Sequence, residues 1–348
     1  MLGEVAQDRL AGCVDEAERF AKRQALVFAQ HLGRDRDHQL DMAERLVPRL
    51  EGGCHQHSWS ATRRGGWAIP RVVEVRTPPI GYAGLLPLAI TAAELGADVL
   101  RRYFRELGPS QISEKLENDV VTDADHAAET AVVRLLHERT PELGILAEER
   151  GASGQSEARW VLDPLDGTLN FVRGFPHFAV SLALVTRSGI ELGVVVDPMR
   201  RETFYAVAGG GAFRNGVPIT VSRRQGLAGA FVTTGFPYRI KPYFDDYVAI
   251  FRDAFDAVGA LRRPGAAALD LAHTAAGIFD GFFEFGLSIW DVAAGMLIVR
   301  EAGGKVTDAT GGDEVFRNGN IVAGGPTVQA ALLGLIGRHL PESRIPLP

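Results

Sequence analysis

Hydrophobic and polar residues follow different patterns on the two sides of residue 80. Before it, the chain is rich in Arg, His and Gln, and the stretch "GGCHQHSWSATRRGGW" has no apolar periodicity. Apolar residues at Leu10, Val14 and Ala21 allow one amphipathic helix over residues 3–30. We therefore predict that residues 1–80 are an N-terminal extension of uncertain order.

From residue 81 onward, helical and strand-like segments alternate. A helix is predicted to start near Tyr82, and Thr122 with Asp125 three residues later resembles a capping box for a helix running to about His137. The short apolar runs "GILAEE" and "WVLD" are typical of buried strands, and each ends in acidic residues.

Further strands and helices follow in the same alternation. Phe178–Val185 and Glu191–Asp197 are predicted to pair antiparallel, and "ETFYAVAGGGAFRNG" to form a second hairpin. Beyond these, "GAFVTTG" and "GFFEFG" are typical of strands, and "WDVAAGMLIVREAGG" of a helix that stops at Gly303–Gly304. One apolar helical stripe is also predicted, made of Phe244, Val248, Phe251, Phe255 and Val258. The pattern predicts a layered α/β fold.

Composition narrows the class of protein. The 348 residues are 46% hydrophobic and 23% charged, which is typical of a globular protein with one large core or two ordinary ones. A formal net charge of −6 gives no long-range attraction for nucleic acid or anionic membranes. The apolar run from Tyr82 to Leu100 is broken by Pro87 and Glu94, so we predict a buried helix and not a membrane span.

Cysteine usage excludes two further classes. Cys13 and Cys54 are the only cysteines, so neither a disulfide framework nor a four-cysteine zinc site can form. Their scarcity agrees with a cytoplasmic protein. Cys54, His55 and His57 could bind a metal in principle, but no further ligand lies nearby in the sequence.

Acidic residues end three apolar segments. Glu148 and Glu149 follow "GILA", Asp163 and Asp166 follow "WVL", and Asp291 follows Trp290. Acids at such places need a compensating charge, and neither Lys nor Arg lies within two residues of Asp163, Asp166 or Asp291. Arg150 adjoins Glu149, which makes Glu149 the weaker candidate. Converging carboxylates are typical of an oxygen-ligand site for Mg²⁺ or Mn²⁺.

Each acidic cluster taken alone has a simpler interpretation. "DPLDGT" can be an ordinary turn, Glu148–Glu149 a solvated loop, and Asp291 the N-cap of the helix that follows. The functional hypothesis depends on all of them occurring in one chain.

Several motifs together resemble the inositol monophosphatase family. They are "ILAEE", "WVLDPLDGTLNFVRGFPHFAVSLAL", "GAFRNG", "GFPY", "AALDLAHTAAGIFDGFFEFGLSIWDVAAGMLIVREAGG" and "VTDATGG", in the family's order, between about Tyr82 and Pro341. The resemblance implies an αβαβα sandwich of the sugar phosphatase type. It also implies a Mg²⁺-dependent phosphomonoesterase that uses two or three ions, with Mn²⁺ as a possible substitute, is dimeric in many members and is often inhibited by lithium.

The resemblance also implies roles for individual residues. Glu148, Asp163 and the carbonyl of Leu165 match ligands of one metal, and Asp163, Asp166 and Asp291 match those of a second. The backbone N–H groups of Gly167 and Thr168 match the phosphate-binding positions, and Thr168 with Asp125 and Glu148 matches the catalytic set that activates water. Substrate contacts are implied for Asp166, Ala267 and Glu284.

Substrate choice stays open at this stage. The stretches "GFPY" and "AALDLA" resemble bacterial inositol-1-phosphatase-like members, but relatives with similar metal motifs act on fructose 1,6-bisphosphate, histidinol phosphate or nucleotide phosphates. Ala266 stands where family members tend to carry Ser or Thr, which argues against tight inositol selectivity. The implied partner is therefore a small sugar or polyol phosphate, with a homodimer expected and no membrane contact.

The sequence allows three other interpretations. A haloacid-dehalogenase-type phosphatase needs two acids two residues apart, whereas Asp163 and Asp166 are three apart. "GGDEV" at Gly311–Val315 is similar to a cyclic-dinucleotide synthase signature, but a turn is expected there. A binding role towards transcription or ribosome-maturation machinery, as in some bacterial family members, is possible but nothing in the sequence indicates it.

The expected organisation has four parts. Residues 81–225 form the half that binds metal and phosphate, residues 226–341 form an α/β half that completes the active site, and residues 342–348 form a C-terminal tail after the extension of residues 1–80.

Overall fold

The structure is a computed structural model that describes residues 82–116, 119–236 and 244–340. The predictions for residues 1–80, including the helix over residues 3–30 and the Cys54, His55 and His57 group, lie outside the described residues. So do the tail at 342–348 and the second half of "GFPY". Within the described ranges the predicted layered α/β architecture is confirmed.

The order of elements alternates helices and strands, as the sequence pattern predicts. The helices are α1 Leu86–Tyr103, α2 Asp123–Arg139, α3 Thr168–Val172, α4 Phe244–Ala257, α5 Ala267–Ala275, α6 Ile289–Glu301, α7 Val315–Asn318 and α8 Pro326–Ile336. The strands are β1 Ile112–Leu116, β2 Asp119–Thr122, β3 Gly144–Ala147, β4 Gly151–Ser153, β5 Arg159–Asp166, β6 Ala179–Thr186, β7 Gly189–Asp197, β8 Glu202–Val207, β9 Ala212–Arg214, β10 Val217–Pro218, β11 Phe231–Thr234, β12 Ala260–Arg262, β13 Gly281–Glu284, β14 Lys305–Thr307 and β15 Ile321–Gly324.

Two large sheets lie between three layers of helices. An eight-stranded sheet has the order β10-β9-β8-β7-β6-β5-β3-β4, and a five-stranded sheet has the order β12-β11-β13-β15-β14. One core joins α1 and α2 to the first sheet, a second lies between the sheets around α5 and α6, and a third lies between the second sheet and α4 with α8. The layers are therefore αβαβα.

Helix α1 is a core element. With the 3₁₀ turn before it, the helical stretch Ala83–Tyr103 is long and apolar enough to cross a membrane by length and composition, but 61% of its most apolar window is buried inside the protein. Its residues Ala89, Ile90, Ala93 and Leu100 are fully inaccessible to solvent and pack in the core against the first sheet. The prediction of a buried helix here is confirmed.

The apolar stripe predicted on α4 packs only in part: Phe251 and Val258 lie against the third core. The structure buries Tyr247, Ile250 and Ala254, whereas Phe244 and Phe255 are 53% and 67% exposed. Tyr247 is preferred because its hydroxyl lies 3.0 Å from the hydroxyl of Thr234 while its ring packs in the core. The helix is correctly predicted, but its most buried residues are not members of the predicted stripe.

Strand β5 brings the acidic motif to the end of the first sheet. It runs parallel to β3 and antiparallel to β6, with an irregularity in register between Asp163 and Asp166. The parallel pairing of β3 and β5 places their carboxyl ends at one edge, so the residues that follow each strand are neighbours there. The turn predicted at Gly311–Val315 is also present, organised around Asp308, which accepts bonds from the N–H groups of Thr310, Gly312 and Glu314.

Candidate metal and phosphate site

Asp163 is the most buried carboxylate of the acidic motif. It is 2% exposed, and its Oδ1 accepts a hydrogen bond from the N–H of Leu165 at 2.9 Å. Burial raises its pKa well above the ordinary value, and the negative charges of Glu148, Asp166 and Asp291 raise it further. Asp163 therefore lies close enough to three other carboxylates for their charges to act on it.

Asp166 is held by the helix that begins on the other side of the site. It is 8% exposed, and its Oδ2 accepts from the N–H of Ala268 in the first turn of α5 at 2.8 Å. Burial is the main cause that raises the pKa of Asp166 well above the ordinary value, and the negative charge of Asp291 raises it further. The hydrogen bond from Ala268 lowers this pKa by a smaller amount. A free N–H at a helix start is a natural partner for a carboxylate.

Capping boxes orient two further acids. Thr122 caps α2, and Oδ2 of Asp125 accepts from both the N–H of Thr122 at 2.9 Å and its hydroxyl at 2.6 Å. Asp291 occupies the equivalent third position of α6, where its Oδ2 accepts from the N–H of Ser288 at 2.7 Å. The interpretation of Asp291 as an N-cap is thus corrected, because Ser288 is the cap.

Thr168 joins the acidic motif to α2. Its hydroxyl lies 3.3 Å from Oδ1 of Asp125 and 3.0 Å from the carbonyl of Leu165, and its single proton can serve one of them at a time. Asp125 is fully buried, and the Thr168 hydroxyl connects it to the acidic motif.

Gly167 shapes the turn at the start of α3. Its φ is +91°, and a Cβ there would lie 3.1 Å from the carbonyl of His177 and 3.3 Å from that of Gly265. Both the backbone conformation and the close approach call for glycine. The turn leaves the first N–H groups of α3 without helical acceptors, as anion binding requires.

Of the predicted substrate residues, Asp166 ends β5 of the first sheet, Ala267 begins α5 and Glu284 lies on the second sheet. Glu284 ends β13, and burial raises its pKa well above the ordinary value, with Asp270, Asp166 and Asp291 adding to the effect. Gly235 makes room for it, because a Cβ there would overlap the carboxylate at 1.9 Å. Ala266 and Ala267 are buried, and Ala266 precedes α5 without a side-chain cap.

Arg150, which adjoins Glu149 in the sequence, forms its ion pair with Glu129. Arg150 pairs with Glu129, with its Nε 3.1 Å from Oε1, and the N–H of Glu149 donates to Oε2 of Glu129 at 2.9 Å. Glu129 is itself fully buried and its pKa is raised by burial. The pairing anchors the loop that carries Glu148.

Three buried polar residues, His177, Asp270 and Thr233, are not among the residues predicted from the sequence. Nε2 of His177 lies 3.8 Å from Oδ1 of Asp270, and neither atom, nor the hydroxyl of Thr233, has a hydrogen-bond partner among the described residues. These residues come from the loop after α3, from α5 and from β11. The available signals were a His within "GFPHF" and an acid within the apolar helix "AALDLAHTA".

The donor set suits a hard cation. Oxygen atoms of buried, mutually repelling carboxylates are the ligands that Mg²⁺ and Mn²⁺ prefer, and a divalent ion would relieve the repulsion that raises the pKa of Asp163. In the described ranges, no three His, Cys, Asp or Glu side chains already close around a single ion position.

Known proteins resemble the chain over the same range. The profile of the inositol monophosphatase family matches residues 83–342. "Nus factor SuhB" of Pseudomonas aeruginosa is 45% identical, covering 74% of this chain and 98% of the relative. "Inositol-1-monophosphatase" of Mesorhizobium japonicum is 41% identical over the same shares.

Solved structures of other proteins are also similar to the chain. The extragenic suppressor protein suhB from Bartonella henselae is 40% identical with a TM-score of 0.70, covering 72% of this chain and 98% of that one. The Thermotoga maritima IMPase TM1415 is 31% identical with a TM-score of 0.67, covering 74% and 98%. The chain belongs to the inositol monophosphatase family.

Proposed function

We propose that the protein is a metal-dependent phosphomonoesterase that hydrolyses myo-inositol 1-phosphate or a related sugar or polyol phosphate. The observation that carries the proposal is the burial of Asp163 among three other carboxylates, directly before the glycine turn that starts α3. Family membership supports the phosphatase reaction. The products would be an alcohol and inorganic phosphate.

Glu148, Asp163, Asp166, Asp291 and the carbonyl of Leu165 would hold two or three Mg²⁺ ions, with Mn²⁺ as an alternative. Bound divalent ions lower the pKa of a water molecule and neutralise the charge of the phosphoryl group during in-line displacement. Asp163 would contribute to holding more than one of these ions. Its buried position gives it little solvent to compete for its oxygens.

The remaining residues would position the reactants. The Thr168 hydroxyl can donate to Asp125 and accept a hydrogen bond from the attacking water, so the pair would orient that water. The N–H groups of Gly167 and Thr168 would bind the phosphate oxygens. Glu284 would accept from a substrate hydroxyl, and the backbone at Ala267 would contact the same end of the substrate.

The test compares Asp163→Asn with Glu149→Gln in phosphate release from inositol 1-phosphate. Asp163→Asn removes one negative charge from the cluster and should lower kcat/KM by about 100-fold or more. Glu149→Gln removes the same charge from a neighbouring position and should stay within about threefold of the unchanged protein. Similar losses in both variants would contradict the assignment.

A substrate panel completes the test. Inositol 1-phosphate, fructose 1,6-bisphosphate, histidinol phosphate and a nucleotide phosphate should be compared with Mg²⁺ varied and with lithium added. Because Ala266 has no hydroxyl, we expect less discrimination among polyol phosphates than a Ser or Thr at that position would give. Absence of Mg²⁺-dependent phosphate release from every compound would refute the proposed activity.

A second candidate function is binding to transcription machinery. It is favoured by the relatives named Nus factor SuhB, of which the Escherichia coli K12 protein is 43% identical over 74% of this chain. Pull-down of transcription complexes with the unchanged protein and with Asp163→Asn separates the two functions. Binding that survives Asp163→Asn, without any phosphatase activity in the unchanged protein, would favour this candidate.

Quaternary structure and location are part of the same proposal. We expect a homodimer that acts in the cytoplasm, as the resemblance and the cysteine usage suggest. Light scattering on the full chain measures the dimer directly.

A further inference from the structure

A surface pocket lies at the end of α3 opposite to the glycine turn. Its volume is about 390 Å³, which falls within the size range of small-molecule sites. It is lined by Arg105, Leu107, Phe171, Val172, Arg173 and Gly174. Two arginines and no acidic residue line it, in a protein whose formal net charge is −6.

Arg105 occupies an unusual backbone position. The N–H of Glu106 donates to the carbonyl of Tyr103 at 2.9 Å, which closes a turn directly after α1. Within that turn Phe104 is extended, and Arg105 has a φ of +67°. This is the third position of a type II turn, where Gly or Asn normally stands because a Cβ is crowded. A strained arginine beside a pocket is a reason to look for function there.

The side chain of Arg105 is fixed by its surroundings. Its guanidinium lies over the ring of Phe104, 5.1 Å from the centroid, and Nη2 donates to the carbonyl of Gly174 at 3.1 Å. Gly174 permits this crossing, because a Cβ there would lie 3.4 Å from Nε of Arg105 and its φ is +67°. The bond to Gly174 uses one of the five N–H donors that a guanidinium has.

Arg173 supplies a second guanidinium without a protein partner. It directly follows α3 and is exposed, and its side chain makes no hydrogen bond or ion pair with any residue in the described ranges. Each guanidinium is a planar fork of N–H donors that matches the oxygens of a phosphate group, so a pocket lined by one fixed and one unpaired arginine favours such a ligand.

We propose that this pocket binds a phosphate group at a second site, separate from the carboxylate cluster. Arg105 and Arg173 would hold the phosphate oxygens, and Leu107 and Val172 would contact an apolar part of the ligand. From Gly167 to Val172 the helical rise is roughly 8 Å, so one small molecule with two phosphates could reach both sites. The phosphate could instead belong to a separate effector molecule.

The binding test titrates the full chain with inorganic phosphate by calorimetry in the presence of EDTA. Without divalent ions the carboxylate cluster repels phosphate, so the measured binding reports the arginine pocket. Arg173→Gln should weaken binding about tenfold or more, because it removes charge-assisted hydrogen bonds. Arg134→Gln is the control, since Arg134 is exposed, paired with Glu138 and remote in sequence from the pocket, and it loses the same charge.

Arg105→Gly is the second variant. Glycine suits a φ of +67°, so this change removes the guanidinium without straining the turn. It should also weaken phosphate binding about tenfold or more. The proposal is overturned if the unchanged protein does not bind phosphate in EDTA, or if both pocket variants bind as Arg134→Gln does.

Kinetics distinguish the two sources of the phosphate. If Arg173→Gln lowers kcat/KM for fructose 1,6-bisphosphate but not for inositol 1-phosphate, the pocket binds the second phosphate of a substrate. If phosphate binding is lost while both rates are unchanged, the pocket binds a separate effector. The calorimetric result needs no catalysis, so it stands or fails independently of the proposed phosphatase activity.

Discussion

His273 shows how the core of this protein sets the ionisation of a single residue. It is 6% exposed on α5, between the rings of Phe204 and Phe279, with centroids 5.7 and 5.9 Å away. Burial lowers its pKa to about 4, and the charges of His177, Arg200 and Arg214 act in the same direction against Asp197. The folded protein therefore keeps His273 neutral at a pH where the unfolded chain binds a proton.

This pKa predicts a loss of stability in acid. Because the pKa of His273 is lower in the folded state than in the unfolded chain, its contribution to the free energy of unfolding is present above about pH 6.5. This contribution disappears as the pH falls towards 4. His273→Phe should remove that part of the acid dependence, which is on the order of 3 kcal/mol at most. Urea unfolding at pH 7.5 and pH 5 measures it, with the exposed His137→Gln as control. Equal acid sensitivity in all three proteins would contradict the assignment.

Residues in the acidic motifs were predictable because their signals are local. The capping box at Thr122 and Asp125 is confirmed, since its chemistry depends on residues three apart. The pairing of His177 with Asp270 was not predictable, because it joins residues 93 positions apart through the packing of α5 against β6 and the loop after α3. Only tertiary structure makes these two residues neighbours.

At the scale of elements, the sequence predicts periodicity better than orientation. The pattern on α4 selects Phe244 and Phe255, which the structure exposes, together with Phe251 and Val258, which pack against the third core. The deciding factor is Tyr247, whose ring and hydroxyl both find partners in the third core. Hydrophobicity alone does not contain that information.

Strand β7 and helix α6 approach each other unusually closely at Gly193. A Cβ at this position would lie 2.8 Å from Cα and from the carbonyl oxygen of Ala294, both backbone atoms that cannot rotate away. Gly193→Ala should therefore push the helix from the sheet and reduce the free energy of unfolding by about 2 kcal/mol or more. Chemical denaturation followed by circular dichroism measures the loss.

Gly334→Ala is the matched control for this substitution. Gly334 is exposed within α8, and a Cβ there would meet no atom within 4 Å. Since alanine restricts the unfolded chain more than glycine does, this change should stabilise the protein by about 0.4–1 kcal/mol. If Gly193→Ala were as well tolerated as Gly334→Ala, the close contact between β7 and α6 would be wrong.

Both large sheets of the molecule contribute residues to the carboxylate cluster. Asp163 and Asp166 come from the first sheet, Glu284 from the second, and Asp291 from α6 in the middle layer. Burial raises the pKa values of Asp163, Asp166 and Glu284, so the folded, metal-free protein retains protons that the unfolded chain releases. Stability without metal should therefore fall as the pH rises above about 4, the ordinary range of these acids.

A divalent ion should reverse this dependence if the cluster is the metal site. Binding to the folded state alone adds about 2.7 kcal/mol to the free energy of unfolding at a ligand concentration of 100 Kd, which should raise the melting temperature by about 5 °C or more.

Asp163→Asn should melt higher than the unchanged protein in EDTA at pH 8, because one buried negative charge is gone. Mg²⁺ should have little further effect on this variant. Asp313→Asn, whose side chain is 87% exposed, is the control and should respond to Mg²⁺ normally. Thermal melting in EDTA and in MgCl₂ at pH 5 and pH 8 provides the comparison, and an equal Mg²⁺ shift in all three proteins would place the metal elsewhere.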